Sequence, residues 1–179
     1  MSSDFLLIDE LYTEEERLTR DEIKKFVDKR FKPLIRECFR EGKFPLEIVE
    51  ELGRLGVFGS YIKGYTCAGT NFTTYGLMME ELERGDSGLR SFASVQGSLT
   101  MGAIYYFGSE EQKRYWLPLL ASGKKIGAFA LTEPDFGSNP AGMKTRARKD
   151  GKTYIINGSK MWITNGHIAD VVIVWAKTG

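Results

Sequence analysis

The stretch FALTEPDFGS, Phe129 to Ser138, decides how this chain is read: a short apolar run passes into hydroxyls and then into a turn built from Pro134 and Gly137. Taken alone it is a strand end with turn residues. Strand ends that expose free N–H groups beside hydroxyls also suit an electron-poor ring or a phosphate. Further along, KMWITNG, Lys160 to Gly166, sets a tryptophan, a β-branched residue and a hydroxyl together, on what reads as another strand. A core tryptophan is the ordinary explanation of such a segment. It loses ground because the two stretches occur together, in this order, after a helical region.

Working outward, Ile126 to Thr132 is short and apolar, Lys152 to Asn157 follows an Asp150-Gly151 turn, and Val171 to Ala176 is β-branched, all of which predict strands. They follow Gly123. Upstream, Thr13 with Glu16 forms a capping box for a first helix, whose inner face is Ile23, Phe26, Val27, Phe31, Leu34, Ile35 and Cys38. Pro33 predicts a kink or an early end. Pro45 opens a second helix with Leu46, Val49, Leu52 and Leu55 inward, ended by Gly56. After a glycine-rich passage, Gly59 to Gly69, helices are predicted over Phe72 to Arg84 and Ser87 to Phe107. In the latter, Ala93, Gly97, Ser98 and Gly102 permit close approach. Ser109 with Gln112 starts another helix toward Leu120.

The predicted fold class is therefore α+β, with an all-α helical domain over residues 1–122 and the first strands of a β-barrel-like domain over 123–179. With so few strands, and edges lacking any visible cover, the sequence reads as truncated.

Composition narrows the function. The net charge of +1 at pH 7, with 42% hydrophobic and 27% charged residues, gives no field to gather nucleic acid or anionic lipid. No apolar run approaches the roughly 18 to 20 residues of a membrane span. Cys38, Cys67 and His167 are too few to build a metal centre of soft ligands. The acidic stretch from Met1 to Glu16 is unlike a signal or transit peptide, which predicts a cytoplasmic protein.

On these motifs the chain resembles the acyl-CoA dehydrogenase family over essentially its whole length. The flavin-binding signature is matched by Phe129, Ala130, Leu131, Thr132, Glu133, Pro134, Gly137 and Ser138, and the second flavin-contacting segment by Trp162, Ile163 and Thr164. The resemblance implies FAD held between a helical domain, a β domain and a C-terminal helical domain. That last domain would carry the glutamate base and the tetramer interface of a homotetrameric enzyme. It implies no catalytic residue within these 179, and Glu80, Glu81 and Glu133 are not promoted to that role; a turn carboxylate that fixes its loop suits Glu133 better. Donors at Leu131, Thr132 and Thr164 would stabilise negative charge on a reduced flavin, Trp162 would lie along its ring, and Ser138 resembles a serine that hydrogen-bonds acyl-CoA.

Within the family, ELERGDSGLRSFASVQGS, Glu81 to Ser98, is similar to glutaryl-CoA dehydrogenases, as is IKGYTCAGT, Ile62 to Thr70. Arg90 carries that likeness: a guanidinium in an apolar acyl pocket would be buried without a partner, whereas a dicarboxylic substrate supplies one. Solvated helix-surface charge is the competing explanation. Glu83, Ser91 and Ser94 are its implied neighbours. Leu89, where tyrosine is common in that subgroup, is a mild departure. The implied reaction is the oxidative decarboxylation of glutaryl-CoA to crotonyl-CoA, with electrons passed to an electron-transfer flavoprotein. The alternative is a non-catalytic helical module that binds acyl-CoA or a partner.

Overall fold

The computed structural model describes residues 4–178. Helix α1 (Glu14–Phe26) begins at the Thr13 capping box, in which the Glu16 N–H donates to Thr13 Oγ1 and the Thr13 N–H donates back to Glu16 Oε2. Ile23, Phe26, Val27 and Phe31 are buried, as their spacing predicts. Pro33 does not end the helix. A π-helical turn, Val27–Phe31, precedes it, and the Lys32 N–H reaches back to Val27 O before α2 (Lys32–Glu41) continues. Proline lacks the next donor, and the widened turn lets the helix pass through it.

The second predicted helix opens as a 3-10 turn, Leu46–Ile48, and becomes α3 (Val49–Arg54). Val49 and Leu52 are buried as expected. Leu46 is 49% exposed, and Ile48 takes the inward place instead. The tighter turn shifts which side chain faces the core.

Helices α4 (Phe72–Gly85) and α5 (Ser87–Ser94) follow, capped by Asn71 and Asp86. The predicted helix beyond Ser87 is interrupted by a second π turn, Val95–Thr100, before α6 (Met101–Phe107). Close approach explains the small residues here: a Cβ on Gly97 would lie 2.7 Å from the Gly59 nitrogen. The Ser109–Gln112 capping box starts α7 (Glu110–Ala121). Leu82, Leu89, Phe92, Met101, Leu117 and Leu120 join the α1 face in one apolar core.

Among the described residues four strands follow: β1 (Gly127–Ala130), β2 (Arg146–Asp150), β3 (Thr153–Asn157) and β4 (Val171–Val174). β1 and β4 pair in parallel, Gly127 beside Val171 and Ala130 beside Val174. β2 and β3 form an antiparallel hairpin through Gly151 at φ 60°, the conformation the Asp-Gly signal predicts. Lys160 to Gly166 is not a strand. It is a loop with Trp162 at φ 59° and Asn165 at φ 65°, conformations a strand cannot contain. Among the described residues no helix is long and apolar enough to cross a membrane, and no group of three or more His, Cys, Asp or Glu could hold a metal ion.

Candidate flavin and acyl-thioester site

The first strand is fixed to the helical layer by a buried amide. Gln96, in the second π turn and 0% exposed, accepts from the Gly127 N–H at 2.7 Å through Oε1. Its Nε2 donates to Leu120 O at 3.0 Å and Lys125 O at 2.8 Å. Gly127 has no room for a side chain, because a Cβ would collide with Thr100. From the other side, Asn165 Nδ2 donates to Gly127 O at 3.2 Å. Asp170 accepts from the Ile126 N–H and pairs with Lys125. β1 therefore leaves the helical layer in a single direction, and the loop that follows starts from a rigid base.

That loop is organised around Glu133, which is 4% exposed. Its carboxylate accepts from the Lys144 N–H at 2.6 Å, the Thr145 N–H at 2.9 Å and the Lys160 ammonium at 2.9 Å. Burial alone would push the carboxyl up. The donors outweigh it and hold Glu133 at about 2, below its ordinary 4.5. Glu133 and Phe136 close the turn with two backbone bonds around the exposed Pro134 and Asp135. The Glu133 side chain is thus an internal acceptor that shapes the loop.

Lys160 joins the two motifs. Besides its pair with Glu133 it donates to Leu131 O at 2.9 Å, and the next residue, Met161, donates its N–H to Thr132 O at 2.9 Å. Nothing in the local sequence announces this contact; one lysine in a loop is ordinarily solvated. The result ties Leu131 and Thr132 to Lys160 and Met161, which directly precede Trp162, Ile163 and Thr164. Trp162 is 84% exposed and held at positive φ, a costly conformation for a bulky residue. Among the described residues the hydroxyls of Thr132, Ser138 and Thr164 make no hydrogen bond within the chain. Ser138, Gly137 and Thr164 are exposed, Thr132, Leu131 and Ile163 half-buried. Phe129 lies edge-on to Trp175 with ring centroids 5.8 Å apart, while Ala130 is buried.

The second candidate group lies on α4 and α5. Arg90 is not an orphaned guanidinium here. Its Nε donates to Glu83 Oε2 at 2.7 Å, and the side chain is 38% exposed. Glu83 also accepts from the Ser87 hydroxyl at 2.6 Å; that bond first, and Arg90 second, hold its carboxyl below the usual range. One edge of the Arg90 fork is thus spent on orientation, while its terminal nitrogens make no hydrogen bond among the described residues. Ser91 and Ser94 are half-buried on the same helix, and Ser98 donates to Ser94 O at 2.6 Å. No hydrogen bond or ion pair among the described residues joins this group to the loop motifs. They are related through the π turn after α5, which carries Gln96 and therefore β1.

Residues 13–124 match the acyl-CoA dehydrogenase N-terminal domain and residues 128–179 the acyl-CoA dehydrogenase middle domain. The chain belongs to the acyl-CoA dehydrogenase family. Among solved structures it is similar to a glutaryl-CoA dehydrogenase from Mycobacterium smegmatis in complex with FADH2, with 57% identity and a TM-score of 0.95 over 97% of this chain and 45% of that one. A probable acyl-CoA dehydrogenase of Bacillus subtilis is 40% identical over 93% of this chain and 44% of its own length. The bovine mitochondrial short-chain specific acyl-CoA dehydrogenase is 36% identical over 92% and 40%. The chain thus spans less than half the length of these relatives, whose names cover more than one acyl substrate.

Proposed function

We propose that this chain supplies the helical and flavin-edge parts of an FAD-dependent acyl-CoA dehydrogenase that converts glutaryl-CoA to crotonyl-CoA and passes its electrons to an electron-transfer flavoprotein. The observation that carries this reading is the junction of the two motifs through Lys160 and Met161, which ties Thr132 to the segment bearing the exposed Trp162 and Thr164. Hydroxyls free of internal partners, on two joined segments that also present an exposed aromatic ring, suit the donors a flavin ring needs. Bound there, FAD would supply hydride acceptance. The part of this chain is to hold the ring edge with Thr132, Thr164 and the Leu131 backbone, to lay Trp162 along it, and to bind the thioester through Ser138.

Glu133 is unsuited to take the α-proton, because it is buried and held at about 2 by three donors. The base is assigned to polypeptide corresponding to the remainder of the relatives, together with the tetramer contacts, and the assembled enzyme to the cytoplasm.

Glutaryl-CoA is favoured by Arg90. Glu83 holds the guanidinium by Nε, so the two terminal nitrogens are presented as a ready fork for a second carboxylate. Ser91 and Ser94 add hydroxyls on the same helix. The test is a chimera joining residues 1–179 to the rest of the M. smegmatis enzyme, assayed with glutaryl-CoA and butyryl-CoA. Arg90→Met should lower kcat/KM for glutaryl-CoA roughly tenfold to a hundredfold, the worth of about 1.5–3 kcal/mol for a charged hydrogen-bonded pair, and spare butyryl-CoA. An equal fall for both would make Arg90 structural and remove the glutaryl assignment. A flavin-free chimera would sink the wider reading.

A further inference from the structure

The carboxylate that steadies Arg90 is also a rival of any ligand carboxylate that Arg90 is to hold. Glu83 lies in the last turn of α4, and Ser87 and Arg90 lie one turn apart on α5, so the corner at Asp86 brings the three together. A serine at a helix start ordinarily caps it. Here Asp86 does so, its Oδ1 accepting from the Gly88 N–H at 2.8 Å, which leaves the Ser87 hydroxyl to Glu83. The two oxygens of Glu83 are thereby divided: Oε1 accepts from Ser87 Oγ at 2.6 Å and Oε2 from Arg90 Nε at 2.7 Å. Of these two donors, Ser87 does more than Arg90 to hold the carboxyl below its ordinary 4.5. A carboxylate free to turn meets the side edge of a guanidinium, Nε and one terminal nitrogen, with both of its oxygens, because two parallel charged hydrogen bonds are stronger than one. With one oxygen kept by Ser87, Glu83 takes Nε alone, and neither terminal nitrogen makes a hydrogen bond among the described residues.

We infer that Ser87 is a positioning residue for carboxylate recognition: by holding one oxygen of Glu83 it prevents that side chain from closing on Arg90, and so keeps both terminal nitrogens open to the far carboxylate of a dicarboxylic acyl thioester. This role rests on the reading of Arg90 as the group that receives the substrate's carboxylate. Without the hydroxyl, Glu83 changes from a support into a competitor, and its charge repels an incoming carboxylate from closer range. Ser87 is the exposed first residue of α5, a place that alanine suits, so Ser87→Ala should leave the fold intact.

Two measurements test the role. In the 179-residue chain, the nitrogen NMR signals of the Arg90 terminal groups, identified by their loss in Arg90→Met, should report free rotation in the wild type and slowed rotation in Ser87→Ala, where Glu83 binds side-on. Ser87→Thr keeps the hydroxyl and should match the wild type. In the chimera with the rest of the M. smegmatis enzyme, Ser87→Ala should lower kcat/KM for glutaryl-CoA relative to butyryl-CoA roughly threefold to tenfold, through KM, and Ser87→Thr should restore the ratio. Unchanged rotation in Ser87→Ala, an unchanged ratio, or a fall that Ser87→Thr fails to mend would each overturn the inference. Arg90→Met separates the two levels. If it spares butyryl-CoA while Ser87→Ala moves nothing, the role of Ser87 falls and the reading of Arg90 stands; if it lowers both substrates equally, the reading of Arg90 falls and takes the role of Ser87 with it.

Discussion

Replacing Gln96 by leucine tests whether the helical layer aims the flavin-edge strand. The side chain is fully buried and serves three backbone groups. Leucine keeps much of the volume and removes all three bonds. Leu120 O retains the Gly123 N–H at 3.1 Å, so the groups left without a partner are the Gly127 N–H and Lys125 O. Each buried orphan costs about 1–3 kcal/mol, partly offset because the amide no longer needs desolvating, which leaves a loss of about 3 kcal/mol. At a slope of about 2 kcal/mol per molar urea, the unfolding midpoint should fall by roughly 1.5 M. Amide exchange at Gly127 should quicken more than that at Ile23, buried on α1. A loss below about 1 kcal/mol with Gly127 exchange unchanged would show that Asn165 and Asp170 hold β1 without Gln96, and the account of the junction would fail.

Other outcomes follow from the same geometry. Gly97→Ala should destabilise by about 1–3 kcal/mol through overpacking against Gly59, while Gly76→Ala, with open space around it, should not; equal unfolding midpoints would refute the close-approach argument. Glu133 is depressed from 4.5 to about 2, so its contribution is complete above about 4.5 and is lost as pH falls toward 2. Glu133→Gln should flatten that part of the acid unfolding curve, and an unchanged curve would remove Glu133 from the acid response. The chain alone should bind FAD weakly and show no turnover of glutaryl-CoA with an artificial acceptor, since it offers one wall of an enclosure; tight stoichiometric binding by flavin fluorescence, or turnover, would contradict this.

What was legible in the sequence was local. The capping boxes at Thr13 and Ser109 involve residues three apart, and both form. The apolar spacing of α1 and the Asp150-Gly151 turn are likewise short-range, and the α+β class follows from them. The misreadings arose where a distant contact overrode local preference. Lys160 to Gly166 looks like a strand by composition, but Lys160 is drawn to Glu133, and Trp162 turns through positive φ with no glycine to mark it. Pro33 predicted a break because the widened turn upstream of it has no residue signature. In the candidate site the motif residues could be named, but the Glu133–Lys160 tie and the Gln96 bridge could not, since each spans more than twenty positions of chain. Glu83 was named as a neighbour of Arg90 by resemblance, and the structure makes it an ion-pair partner through Nε, a contact seven positions apart that spacing alone does not announce.

The π turn Val95–Thr100 also bears on how this chain tolerates insertion and deletion. Each residue of an α-helix advances the next by about 100°, but a widened turn takes up one surplus residue within nearly the same sweep, so the segment bearing Arg90 and Ser94 and the segment that buries Met101 and Ile104 stay in phase. Deleting one residue inside it would restore regular hydrogen bonding with Met101 still turned inward, whereas deleting one from the regular turns before it would carry Met101 toward solvent. The surplus residue is slack in the helix, and the facing of its two halves does not depend on it.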